Sequence, residues 1–177
     1  MRFGLSLTSG AIFMDAFSIG LPLIICFMTV FSLRRIPRSQ RIAVSAIVVG
    51  VTLLVSALGV FFLVGELRTG VVVGDQMVVK TPPFASVSVE RADVLRAYRV
   101  ADRAQEPDLA IAVRTNGTGM GSYLTGYFRL EDGRSAVLML SGPACVVIEL
   151  NDTVLMLAPD DLDGFVRALR AWGVPIA

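Results

Sequence analysis

Two long apolar runs, then a change of period, then a series of short alternating runs, organise this chain. The first run, AIFMDAFSIGLPLIICFMTVFSL, covers residues 11–33, and the second, IAVSAIVVGVTLLVSALGVFFLV, covers 42–64. At about 1.5 Å per residue each reaches about 34 Å, enough to cross a hydrocarbon core of about 30 Å. The pattern predicts a transmembrane hairpin of two helical spans, with residues 1–69 forming the anchor. The linker RRIPRSQR holds Arg34, Arg35, Arg38 and Arg41, and Pro37 breaks the helix there. A cleaved signal peptide is not the reading. Arg2 alone is a weak positive start, the first run is too long for a signal core, and Arg34 and Arg35 follow it as a stop.

The four arginines of the linker set the topology. Short loops rich in arginine stay in the cytoplasm, so the loop is expected inside and the C-terminal domain outside the plasma membrane. The opposing flanks offer Arg2 on one side and Arg68, beside Glu66, on the other. Asp15 lies about one turn into the first span, where an interfacial carboxylate is the simpler reading than an intramembrane proton site. Pro22, after Gly20, is expected to distort that helix. Ala46 and Gly50, four residues apart, suggest a close helix–helix contact.

After Gly65 the period becomes that of strands. GVVVGDQMVVKT reads as one strand or two short ones, and Pro82 and Pro83 interrupt it. FASVSVE alternates, VLRAYRV follows, and a polar loop occupies 101–108. Beyond LAIAVRT comes RTNGTGMGSYLTGYFRL, with Gly117, Gly119, Gly121 and Gly126 within ten positions. It reads as a flexible crossing into the GYFRL strand. Glu131-Asp132-Gly133 between alternating runs predicts a hairpin turn, and SGP and Asn151-Asp152 mark two more turns. The chain closes on PDDLDGFVRALRAWG. Its Leu162, Phe165, Val166, Leu169 and Trp172 make one apolar stripe, Pro159 suits the first turn, and Ala158 stands where a capping Ser or Thr is expected.

Taken in order, GYFRL, EDGR, SAVLML, SGP, ACVVIEL, TVLMLA and a Pro-acidic helix start with Phe165 beyond it resemble the bacterial pleckstrin-homology-like (PH) domain family. The resemblance covers roughly residues 70–173. It implies a PH-like β-barrel of about seven strands with a C-terminal helix over 70–177, in a membrane-anchored protein of the bacterial plasma membrane.

Composition narrows the chemistry. Hydrophobic residues make up 54% of the chain and charged ones 18%, with a mean hydropathy of +0.69, which leans towards a membrane protein. Residues 70–177 carry ten Arg or Lys against thirteen Asp or Glu, a poor start for nucleic-acid or anionic-lipid binding. Without any histidine, the commonest general base, the usual hydrolase triads and most zinc sites are excluded. Cys26 and Cys145 read as unpaired small hydrophobes.

A dinucleotide loop fails on spacing. From Gly117 the third glycine position is Ser122, from Gly119 it is Leu124, and strand follows where a helix should begin. Lys80 is the one cation near the first strand pair, too little for a phosphoinositide site. The Asn116-Gly117-Thr118 and Asn151-Asp152-Thr153 sequons carry no weight in a bacterial chain.

The reading is a non-enzymatic binding or scaffold module at the cell envelope, with an unidentified protein partner, lipid contact through two spans, and no cofactor, metal, nucleotide or nucleic acid. The candidate contact loop is Asn116, Gly117, Gly119, Gly121, Tyr123 and Tyr127. The alternatives are an inward-facing lipid-headgroup module and an uncharacterised enzyme.

Overall fold

A computed structural model describes residues 1–7, 9–33 and 37–177. The chain divides into a helical unit, 9–64, and a β unit made of residues 1–8 together with 65–177. Residues 1–8 were expected in the anchor. They belong instead with the C-terminal unit, because Arg2–Gly4 forms a strand there.

In the helical unit, α1 spans Ser9–Ser32, and α2 starts at Arg38 and runs on to Glu66. Gln40–Glu66 is long and apolar enough to cross a membrane, with a hydropathy of 2.8 and only 6% of its most apolar stretch buried. In α1 the apolar stretch is the shorter Ala16–Ser32. The helix continues through Pro22 without a break. Some hydroxyls on these apolar helices bond back to their own turn: Thr29 donates to the Ile25 carbonyl and Thr52 to that of Val48, whereas the buried Ser56 hydroxyl has no such bond. The close contact expected at Ala46 and Gly50 is absent, since both are exposed and a Cβ on Gly50 would meet open space. It lies at Gly59, where an added Cβ would come within 2.9 Å of Ile19 Cγ1. Arg34 and Arg35 lie outside the described residues. Arg38 opens α2, and the Arg41 backbone N–H donates to Pro37 O.

The β unit holds ten strands among the described residues, in two open sheets rather than a barrel of about seven. One sheet is an antiparallel meander of β1 (Arg2–Gly4), β2 (Gly70–Val73), β3 (Met77–Thr81) and β4 (Ala85–Val89). GVVVGDQMVVKT is therefore two strands around the Gly-Asp turn. In β4, Ala85 and Val89 are buried while Ser86 and Ser88 face solvent, as the alternation predicts.

The second sheet is built from β5 (Arg96–Val100), β6 (Ile111–Met120), β7 (Tyr123–Leu130), β8 (Ser135–Leu140), β9 (Cys145–Glu149) and β10 (Thr153–Leu157), in the order β5-β9-β10-β8-β7-β6. β10 inserts between β9 and β8 and runs parallel to β8, so the final strands are not a simple meander. The three central strands are buried on both faces. Leu138, Cys145, Val147 and Met156 contribute to one core cluster, while Val137, Met139, Val146, Ile148 and Leu155 on the alternate positions are equally inaccessible. Strands covered on both faces read as continuous apolar runs, which is what SAVLML, CVVIE and TVLML are.

The terminal helix, α3, spans Leu162–Ala171 and starts three residues beyond Pro159. Its cap is Asp161, whose carboxylate accepts from the Gly164 backbone N–H at 2.8 Å. Ala158 is thus no missing cap; it is a buried residue whose N–H donates to Met139 O. At the other end the Val174 N–H reaches Leu169 O and the Gly173 N–H reaches Arg170 O, a Schellman closure. Phe165 and Leu169 are fully buried, and Phe165 meets Phe3 of β1 edge-on at 5.5 Å. Trp172 is half-buried, and its indole N–H donates to the Asp75 carbonyl at the β2–β3 turn.

Both cysteines are free. Burial pushes the Cys145 thiol up to about 11, with Arg103 opposing weakly. A thiol held neutral in the fold contributes stability that is complete below its unfolded value near 9.0 and lost as pH rises towards 11. Unfolding midpoints of the wild type should therefore fall relative to Cys145→Ala across that window. A constant difference between the two proteins from pH 8 to 11 would contradict this.

Candidate functional site

The glycine-rich stretch does not form a flexible crossing. It is the longest hairpin of the structure: Asn116, Gly117 and Gly119 lie in β6, Gly121 in the two-residue turn, and Tyr123 and Tyr127 in β7. The reason is a matched pair of glycines. Gly117 and Gly126 are register partners, and the two backbones come so close that an added Cβ on Gly117 would sit 2.1 Å from Thr125 O. Glycine here permits strand contact and does not mark a mobile loop. Tyr123 is fully buried and is removed from any contact surface, whereas Asn116 is exposed and Tyr127 half-buried.

β6 is an edge. Its hydrogen-bonded neighbour is β7, and the residues from Ala112 to Asn116 are exposed. Two register shifts interrupt its first half, between Ile111 and Val113 and between Arg114 and Asn116; from Asn116 to Met120 the pairing is regular. Bulges of this kind blunt indiscriminate pairing along an edge. The opposite edge of the same sheet is covered: the Arg99 N–H donates to Ala177 O and the Ala177 N–H to Ala97 O, so the C-terminal residues lie along β5. Near the regular half of β6, the Thr118 hydroxyl donates to Glu66 Oε1 at 3.0 Å.

A second group of polar side chains gathers around β5 and β9. The Tyr98 hydroxyl donates to Glu149 Oε1 at 3.2 Å, the Arg134 guanidinium lies 3.7 Å from the same oxygen and pairs with Asp132, and the Arg96 guanidinium stacks 4.5 Å from the Tyr98 ring centre. Burial and the Glu149 charge raise the Tyr98 phenol, so it stays protonated and is no general base. The Arg134 backbone N–H holds the Asp132 carboxyl below its usual range. The contacts of Arg134 with Asp132 and Glu149 tie the 131–134 turn to the sheet. Among the described residues no cluster of His, Cys, Asp or Glu could hold a metal ion.

One arrangement escapes sequence reading. Arg2 and Arg68, counted there only as flanking charges, come together with Lys80 around a single cleft lined also by Gly70, Val72 and Pro82. Their proximity depends on β1 pairing with β2 across the whole helical segment, for which no local pattern gives a signal.

Residues 90–172 match the family described as Bacterial PH domain. The six strands of the second sheet and α3 lie inside this segment, which is similar to the family that the order of GYFRL, SAVLML, ACVVIEL, TVLMLA and the terminal helix pointed to. PH domains are generally non-enzymatic binding modules. The match begins at 90 and leaves β1 to β4 and both long helices outside it, whereas the sequence resemblance extended back to about residue 70. No curated protein and no solved structure matches the chain.

Proposed function

We propose that the chain is a non-enzymatic, membrane-anchored PH-domain module that binds a protein partner at the cell envelope by strand addition to β6. The observation that carries this is the open edge. Among the described residues β6 has a sheet neighbour, β7, on one side alone, while the β5 edge is occupied by the chain's own C-terminal residues. An extended peptide added there would gain main-chain hydrogen bonds from the regular half, Asn116–Met120, and side-chain discrimination from Arg114 and Met120.

The anchor is read as two spans, and the β1–β2 ladder supports this. Gly4 and Gly70 are partners in one sheet, so both ends of the helical segment lie on one side of any bilayer it enters. A crossing by α2 alone would separate them, which supports a return of the chain by α1. Arg34, Arg35, Arg38 and Arg41 around the connecting loop support a cytoplasmic loop and a PH domain outside.

The test uses a photo-crosslinking residue at Thr115, with Asp152 as a control position, in native membranes. A specific protein adduct is expected from 115. The purified partner should then slow backbone amide exchange in 111–120. Strand addition is rejected if the partner protects other segments and leaves β6 exchange unchanged.

A further inference from the structure

The N-terminal strand completes a cationic cleft. On the solvent face of the four-stranded sheet, Arg2 pairs in register with Val72, and Gly4 and Lys80 flank Gly70 on either side. Arg2 and Lys80 thus stand diagonally across a floor that includes Gly70 and Val72. Arg68 closes the third side. The cleft has a volume of about 430 Å³ and is lined by three cations and no carboxylate.

The charge is local and unexpected from composition. The unit of residues 1–8 and 65–177 carries twelve Arg and Lys against fourteen Asp and Glu. Two of the unit's cations do find acids, Arg99 in Asp163 and Arg134 in Asp132 and Glu149. Arg2, Arg68 and Lys80 form no ion pair among the described residues, although like charges converging on one cleft repel each other. An anion with several oxygens relieves that repulsion. Arginine suits it through its fork of donors and lysine as a point charge.

We infer that this cleft binds a phosphate oxyanion, and that its source is the phosphodiester headgroup of an anionic glycerophospholipid. The choice of source follows from the covalent chain. Arg68 stands two residues beyond Glu66, the last residue of the membrane-length helix, so a headgroup at that leaflet is the most concentrated phosphate within reach. The site lies outside the segment that matches the PH family and uses a strand, β1, that the family match does not include. It rests on α2 entering a bilayer and not on strand addition at β6.

The experiment incorporates the full chain into nanodiscs of phosphatidylcholine with one-fifth phosphatidylglycerol and measures by native mass spectrometry which lipids remain bound. The wild type should retain phosphatidylglycerol about tenfold over phosphatidylcholine. Arg68→Gln with Lys80→Gln should abolish the preference, and Arg2→Gln should weaken it. Arg170→Gln, which removes an exposed cation on α3, should leave it intact. Equal retention by the wild type and the double variant overturns the site, as does an Arg170→Gln loss as large as that of Lys80→Gln. Failure of the chain to enter nanodiscs overturns the lipid source together with the membrane anchor, but leaves strand addition standing. A separate titration of inorganic phosphate distinguishes the other source: saturable binding that displaces phosphatidylglycerol at low millimolar phosphate overturns the lipid assignment. Trp172 fluorescence unfolding curves that match the wild type confirm that the variants are folded.

Discussion

Gly126→Ala is expected to destabilise the β unit by about 4 kcal/mol, from two independent costs. The residue has φ +112, a region that strains any side chain. Its Cβ would also lie 2.3 Å from Asn116 O and 2.6 Å from Gly117 Cα, both backbone atoms held by the β6–β7 ladder. Neither can rotate away, so relief requires opening the hairpin. Gly133 separates the two costs. It has φ +89 in the 131–134 turn, but an added Cβ would meet open space, so Gly133→Ala should cost only about 1 kcal/mol. Trp172 is the sole tryptophan and reports the β unit in urea titrations of the detergent-solubilised chain. Equal losses for the two variants would mean that the close approach of β6 to β7 relaxes freely.

Phe165→Ala should cost about 3–5 kcal/mol, the range for emptying a fully buried aromatic site. The ring is inaccessible, and its edge-on partner is Phe3. The loss should therefore be felt unevenly. β1 is only three residues long and relies on this contact and its ladder with β2. Backbone amide exchange should speed up in β1 and β2 well before β7 and β8. Uniform acceleration across both sheets would show that Phe3 and Phe165 do not hold the N-terminal strand in place.

Features written in local periodicity were legible in the sequence. The alternation of FASVSVE gave β4 its faces, Glu131-Asp132-Gly133 gave the β7–β8 turn, and the stripe from Leu162 to Trp172 gave α3. Features that depend on partners far away in the chain were not. Arg2–Gly4 is too short to show a period, and its partner lies beyond the entire helical segment. The parallel β8–β10 pairing has no turn to announce it, although the unbroken apolar runs of both strands carry the mark of burial on two faces. The glycines of RTNGTGMGSYLTGYFRL were misread for a related reason. Counted along the chain they suggest mobility; counted across the hairpin, Gly117 opposite Gly126, they explain why two strands approach so closely. The candidate site was legible only as a neighbourhood. Asn116 and Gly119 do lie on an edge, but buried Tyr123 does not belong with them, and the cationic cleft needed the fold to bring Arg2 to Lys80.

The β1–β2 ladder also changes what the helices are in architectural terms. Gly4 and Gly70 face each other as they would beside a tight turn, so residues 5–69 are an excursion inserted into a single β-hairpin. Loop-closure entropy grows by only about 0.6 kcal/mol per doubling of length, so such an excursion is cheap to lengthen, shorten or remove. Splicing Gly4 to Gly70 through a two-residue turn is therefore expected to retain the β1–β2 ladder without the helices, at the loss of Arg68 from the cleft. Cutting the chain ahead of residue 70 instead discards Arg2 and Phe3 and turns β2 into a bare edge.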